Sequence, residues 1–203
     1  MGDVHQEWPE GWPGASDAAD LAGAARHAEL SAPAAACLAG CDVPSAALAR
    51  LLAEGHTLDA VRLLAHALPR REAVWWACRC AAHTAPGDLP AAHRAARELA
   101  ERWVRRQTDD LRRAAMDQAQ RAGLDSPEAW AAVAAFWSGD SMAPPGQPKV
   151  APAPHLAGTA AAGSVVLASV RRGAARQPAR LDAFLASARA ILHGGTGHLA
   201  PEA

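Results

Sequence analysis

Four cysteines and nine histidines have the widest chemical range in this 203-residue chain, and their spacing decides what they can do. Cys37-Leu-Ala-Gly-Cys41 and Cys78-Arg-Cys80 are the close pairs. A structural zinc site needs two such pairs with gaps of about two to four residues and all four ligands in reach. Gly40 breaks the helix expected ahead of Cys41, and Cys78 and Cys80 lie about 200° apart around a helix, so they cannot chelate one ion together. Small buried apolar residues is the reading that suits these cysteines. The histidines, His27, His56, His66, His83 and His93 among them, are scattered, with no HExxH, GxSxG or paired-carboxylate arrangement around them. Gly194-Gly195-Thr196-Gly197 follows a helix instead of opening one, so it reads as a C-cap and tail rather than a phosphate loop. No catalytic residue, metal or cofactor is expected.

The richest stretch is Leu68-Pro69-Arg70-Arg71-Glu72-Ala73-Val74-Trp75-Trp76-Ala77-Cys78. As a helix it places Val74, Ala77, Cys78 and Ala81 on one face and Glu72, Arg79 and His83 on the opposite one. Trp75 and Trp76 flank that polar stripe, about 100° apart. Two readings stand. In the first, the indoles fill both flanks of an inner helix and Glu72 is satisfied by Arg79 or a backbone group. In the second, Arg70 and Arg71 oppose the macrodipole of the first turn at a cost of about a few tenths of a kcal/mol each. Local rules broken in this way tend to mark function. Arg70, Arg71, Glu72, Trp75, Trp76 and Arg79 then form a binding surface for an acidic partner segment or an anion. A rival site for a small molecule or a reaction would use His66, Glu72, Arg79 and His83 between helices.

Helices must position all of these residues. Fifty-five alanines fill nearly every segment, and alternating strand patterns are absent. Helices are expected from about Ser16 to Leu30, capped at Ser16 or Asp17, and over Pro33–Ala39 and Pro44–Glu54. Further ones follow from a Thr57 cap, over Arg70–His83, over Pro90–Ala122 with a break at Thr108, and from Ser126 to Gly139. Charges four apart, such as Arg97–Glu101 and Asp109–Arg113, predict a solvated face on the long segment. Five prolines in 138–154 make an irregular, stiff linker. Two helices, Leu156–Val170 and Ala179–Leu192, come after it. The expected division is an irregular N-terminal segment at 1–15, a helical domain at 16–139, a linker at 140–154, a helical hairpin at 155–193 and a loose tail at 194–203. The short helices between Pro44 and Gln107 suggest HEAT-like pairs, but no repeat signature supports a solenoid, so an irregular all-α multi-helix bundle is the architecture predicted.

Composition narrows the function classes. The chain has no Tyr or Asn and a single Lys, Lys149, a pattern that a high-GC bacterial genome explains. Arginine is therefore the default cation and by itself no sign of phosphate recognition. Twenty Lys and Arg balance 21 Asp and Glu without a basic stripe, which argues against nucleic-acid binding. Met1–Gly14, with Trp8 and Trp12, lacks the basic and apolar regions of a secretory signal, and no apolar run spans a bilayer. A soluble, cytoplasmic protein with reduced thiols is expected.

The segments "LPRREAVWWAC", "AWAAVAAFWSGDSMAP" and "PHLAGTAAAGSVVLASV" resemble an uncharacterised helical family of proteobacterial proteins, over roughly Leu48 to Leu192. The resemblance associates the chain with gene neighbourhoods of type VI secretion. It implies an accessory or adaptor role with another protein as partner, a secretion-machine component or effector, and brings no catalytic residues. The helix at Ala179–Leu192 carries fewer large apolar residues than its counterpart in that family, which leaves the docking of this hairpin open. The expected function is a non-enzymatic helical interaction protein.

Overall fold

The computed structural model describes residues 20–202, an all-α multi-helix bundle with no strand among those residues. Along the described chain run α1 (Leu21–His27), α2 (Ala32–Cys37), α3 (Pro44–Ala53), α4 (Thr57–Ala67), α5 (Arg70–His83), α6 (Ala91–Arg106), α7 (Asp109–Ala122), α8 (Pro127–Trp137), α9 (Leu156–Ser169) and α10 (Gln177–Leu192). Boundaries fall where local chemistry is strong. Thr108 accepts a hydrogen bond from the Leu111 N–H at 3.4 Å, and Gln107 before it is left-handed at φ 48°, so the long 90–122 segment divides into α6 and α7. The Ser126 hydroxyl caps α8 by accepting from the Ala129 N–H at 3.2 Å.

One start differs from expectation. Thr57 is the first residue of α4, and His56 holds the cap position without a capping side-chain bond. Helix α1 is capped by Asp20, whose carboxylate accepts from the Gly23 N–H at 2.9 Å. The expected start at Ser16 or Asp17, and the Trp8 and Trp12 stretch, lie outside the described residues.

The order of burial explains the packing. Helix α9 is built of small and apolar residues and buries a wide face, with Ala157, Ala160, Ala161, Ser164, Val165 and Ala168 covered, while Thr159 on the other side is exposed. Such a face needs several neighbours, and α9 packs against α4, α5, α8 and α10. It is therefore packed into the bundle against helices from both before and after the 140–154 segment. Small residues allow close helix approach there, and Gly158 is the extreme case: a Cβ on it would lie 2.3 Å from Nδ1 of His66. Helix α10 docks over α4, α5 and α9 through Phe184 and Ile191, both fully buried. Few large side chains suffice for this contact because they fill gaps between alanine-lined helices.

Residues 140–154 are irregular but tied to the bundle. Arg112 of α7 donates to the carbonyls of Phe136 at 3.3 Å and Ser141 at 2.6 Å, and the Met142 N–H donates to the Val150 carbonyl at 2.7 Å. The face of α6 expected to be solvated is partly covered too. Glu101, ion-paired with Arg97, is only 7% exposed, because α5 packs against α6 along that side. No helix among the described residues is long and apolar enough to cross a membrane.

Candidate functional site

Helix α5 has neighbours on both flanks, and both indoles are buried in consequence. Trp76 is fully enclosed, with its N–H donating to the Phe184 carbonyl of α10 at 2.9 Å. Trp75 is 5% exposed, and its N–H donates to the Thr196 carbonyl at 2.8 Å. The guanidinium carbons of Arg79 and Arg105 lie 5.5 and 6.0 Å from the Trp75 ring centroid, within cation–π range.

Of the four remaining residues of the expected surface, Arg79 stays beside Trp75, while Arg70, Arg71 and Glu72 occupy the first turn of α5. Arg70 is exposed. Arg71 donates from Nε to the Val104 carbonyl at 2.6 Å, satisfying one of the last carbonyls of α6. That contact accounts for a cation in the first turn of α5, since the negative end of the α6 dipole offsets the unfavourable one of α5. Glu72 is 5% exposed, close enough to Arg71 for their charges to interact. Arg79 donates to the Leu199 carbonyl at 3.0 Å.

Trp75, Arg79 and His83 share one function that their spacing alone does not reveal. They hold residues 196–202, the tail expected to be loose, along the polar face of α5. The His83 Nδ1 donates to the Ala200 carbonyl, and the Glu202 N–H donates back to the His83 carbonyl at 2.7 Å. From α10, the Ser187 hydroxyl donates to the Gly197 carbonyl at 2.6 Å. Gly197 has φ 61°, and a Cβ there would come within 2.6 Å of the Ile191 side chain, so this turn of the tail demands glycine. Nearly all of these bonds go to main-chain carbonyls, which every residue type possesses. That is why composition and periodicity carried no sign of the strap.

The strap ends in a charged cluster. Arg180 is 4% exposed and grips the Glu202 carboxylate through Nε and Nη2, the shortest contact being 2.6 Å, while its Nη1 donates to the carbonyls of Ser169 and Arg171. Arg176 adds a second cation 3.6 Å from Glu202. The hydrogen bond from Arg180, with the charges of Arg180, Arg176 and His83 beside it, outweighs partial burial and holds the Glu202 carboxyl below the usual glutamate range. No motif in the sequence singles out Arg171, Arg172, Arg176, Arg180 and Glu202. The available signal was four arginines within ten residues around Gly173.

His66 is not near this strap. It faces His27, with ring centroids 6.3 Å apart, and His27 in turn stacks on His155 at 6.0 Å. Burial, reinforced by the charges of His27 and His155, lowers the His66 pKa to about 4. So His66 stands in one cluster while Arg79 and His83 serve another, and the four residues of the rival site do not form one pocket. Burial pushes the Cys78 thiol up, with Glu101 adding to the effect, and pushes Cys80 well up. Inert packing follows for both. Among the described residues, no group of three or more His, Cys, Asp or Glu is placed to hold a metal ion.

Comparison with curated proteins and with solved structures finds no match. Residues 47–192, most of the chain, match the model of a family described as "Family of unknown function (DUF6931)", and the chain belongs to that family.

Proposed function

We propose that this protein is a non-enzymatic helical interaction module, an adaptor acting in the cytoplasm, whose α5 face holds an extended peptide. The observation that carries the reading is the way 196–202 lies on α5. Trp75, Arg79 and His83 present side-chain donors in a row, about one helical turn apart, to the main-chain carbonyls of Thr196, Leu199 and Ala200, in a segment with no helix of its own. This is the contact pattern of a peptide groove, in which main-chain hydrogen bonds give affinity and side-chain pockets give selectivity. The chain's own tail occupies the groove, so a partner segment would compete with it. Arg70, exposed at the start of α5, adds a cation that suits an acidic partner. A component or effector of a type VI secretion machine is the partner this reading takes, as the family resemblance implies.

The test is affinity capture from the native bacterium with three baits: the full chain, Arg70→Glu, and Glu202→Gln, which weakens the strap. A stoichiometric protein partner is expected with the full chain, enriched by Glu202→Gln and reduced by Arg70→Glu. Recovery of the protein as a lone folded species with every bait would overturn the reading.

A further inference from the structure

A cavity of about 410 Å³ opens beside the end of the strap, between the turn after α5 and the turn joining α9 to α10. Its chemistry is set by Gly87, Arg171, Arg172, Arg176, Arg180 and Glu202. Four guanidinium groups thus meet in a chain whose net charge is −1. Three carboxylates pair with them: Glu202, Glu128 with Arg171, and Asp88 with Arg172. The balance is still cationic.

The four arginines differ in how firmly they are engaged. Arg180 is saturated by Glu202 and two carbonyls. Arg171 reaches the fully buried Glu128 through Nη2 at 2.6 Å, whereas its buried Nη1 donates to no protein acceptor. A buried guanidinium donor of this kind normally has a partner. Arg172 and Arg176 keep 67% and 62% of their side chains exposed; Arg172 donates to the exposed Asp88 at 3.2 Å, and Arg176 stands 3.6 Å from Glu202. An exposed pair such as Arg172–Asp88 contributes little energy and exchanges readily for a better anion.

The backbone is consistent with an approaching ligand. Arg172 at φ 59° and Gly173 at φ 113° form a tight positive-φ turn, and space for a Cβ on Gly173 is open. The α10 N-terminus, which favours negative charge, has no acidic residue in its own first turn. Glu202 supplies that charge from the far end of the chain.

We infer that this cavity is a binding site for a small, multiply charged anion, and that Glu202 is its internal competitor. The shared chemistry is two or more negative oxygens matched to the planar guanidinium forks, as in a phosphate ester or a di- or tricarboxylate. Arg172 and Arg176 close on the ligand from the solvent side, and Arg171 and Arg180 add positive charge behind them. The inference stands whether or not the α5 face takes a partner peptide.

Isothermal titration of the full chain with pyrophosphate and, separately, with citrate at low ionic strength tests it. Saturable one-site binding that weakens with added chloride is expected for at least one of them. The stronger of the two distinguishes a phosphate-bearing ligand from a carboxylate one. Arg172→Ala with Arg176→Ala, both exposed positions, should weaken binding roughly tenfold or more. Glu202→Gln should strengthen it several-fold by removing the competitor. No saturable binding of either anion, or binding indifferent to loss of the two arginines, would overturn the site. Unchanged or weaker binding by Glu202→Gln, with the fold intact by circular dichroism, would overturn the competition.

Discussion

The indole N–H of Trp76 donates to the main-chain carbonyl of Phe184 at 2.9 Å, from one fully buried side chain to another residue whose own side chain is fully buried. This single contact joins α5 to α10 across 108 residues of sequence. Trp76→Phe keeps an aromatic ring but removes the donor and leaves part of the indole volume empty. A loss of about 2–4 kcal/mol is expected, read as a lower urea midpoint at unchanged slope. A midpoint within error of the wild type would show that α10 is held elsewhere.

Glu128 and Arg171 form a buried ion pair between α8 and the end of α9, with Glu128 fully buried. Glu128→Ala strands the arginine and should cost about 3–5 kcal/mol. The double change Glu128→Leu with Arg171→Met leaves no uncompensated charge and should be more stable than Glu128→Ala. Equilibrium denaturation of the three proteins decides this, and a double variant less stable than the single would contradict it.

Release of the strap should depend on acid. The Glu202 carboxyl titrates below its unfolded value, held there first by the Arg180 hydrogen bond. Its contribution is therefore complete above the ordinary glutamate pKa and disappears as pH falls through the lowered value. At neutral pH, Glu202→Gln should mimic the acid state, exposing the tail. Carboxypeptidase digestion followed by mass spectrometry should then trim this variant several-fold faster than the wild type.

His66 sets a second pH dependence with the same direction in pH but a different cause. Its folded pKa is about 4 against 6.5 for the free side chain, chiefly through burial. The folded state holds the neutral ring while the unfolded chain takes up a proton. Stability from this group is thus complete above pH 6.5 and lost as pH falls toward about 4, with a slope of at most about 1.4 kcal/mol per pH unit. His66→Asn should flatten the stability profile within that window.

The same ring should make Gly158 intolerant of a side chain. A Cβ there would stand 2.3 Å from the His66 Nδ1 and 2.9 Å from its Cγ, so the whole imidazole would have to move. Gly158→Ala is expected to cost about 1–3 kcal/mol. Combining it with His66→Ala should recover part of that loss, and strict additivity of the two changes would refute the close-approach explanation.

Local rules alone settled much of the chain. The bounds of α5, the break at Thr108, the Ser126 cap and the all-α class follow from proline, capping residues and alanine content, all of which act within a turn or two of sequence. The helical wheel of α5 likewise foretold that burying both Trp75 and Trp76 requires neighbours on two flanks. What those neighbours are was decided only in three dimensions. The strap is invisible beforehand because Trp75, Arg79 and His83 bind main-chain carbonyls, which carry no residue identity. Arg71 is explained only by the end of α6 that it meets 33 residues away. The place of α9 depends on partners from α4 to α10, which its own sequence does not name. Short-range chemistry thus fixes where helices begin and end, whereas charge and hydrogen-bond satisfaction are resolved by long-range packing, which brings Glu202 to Arg180 and the tail to α5.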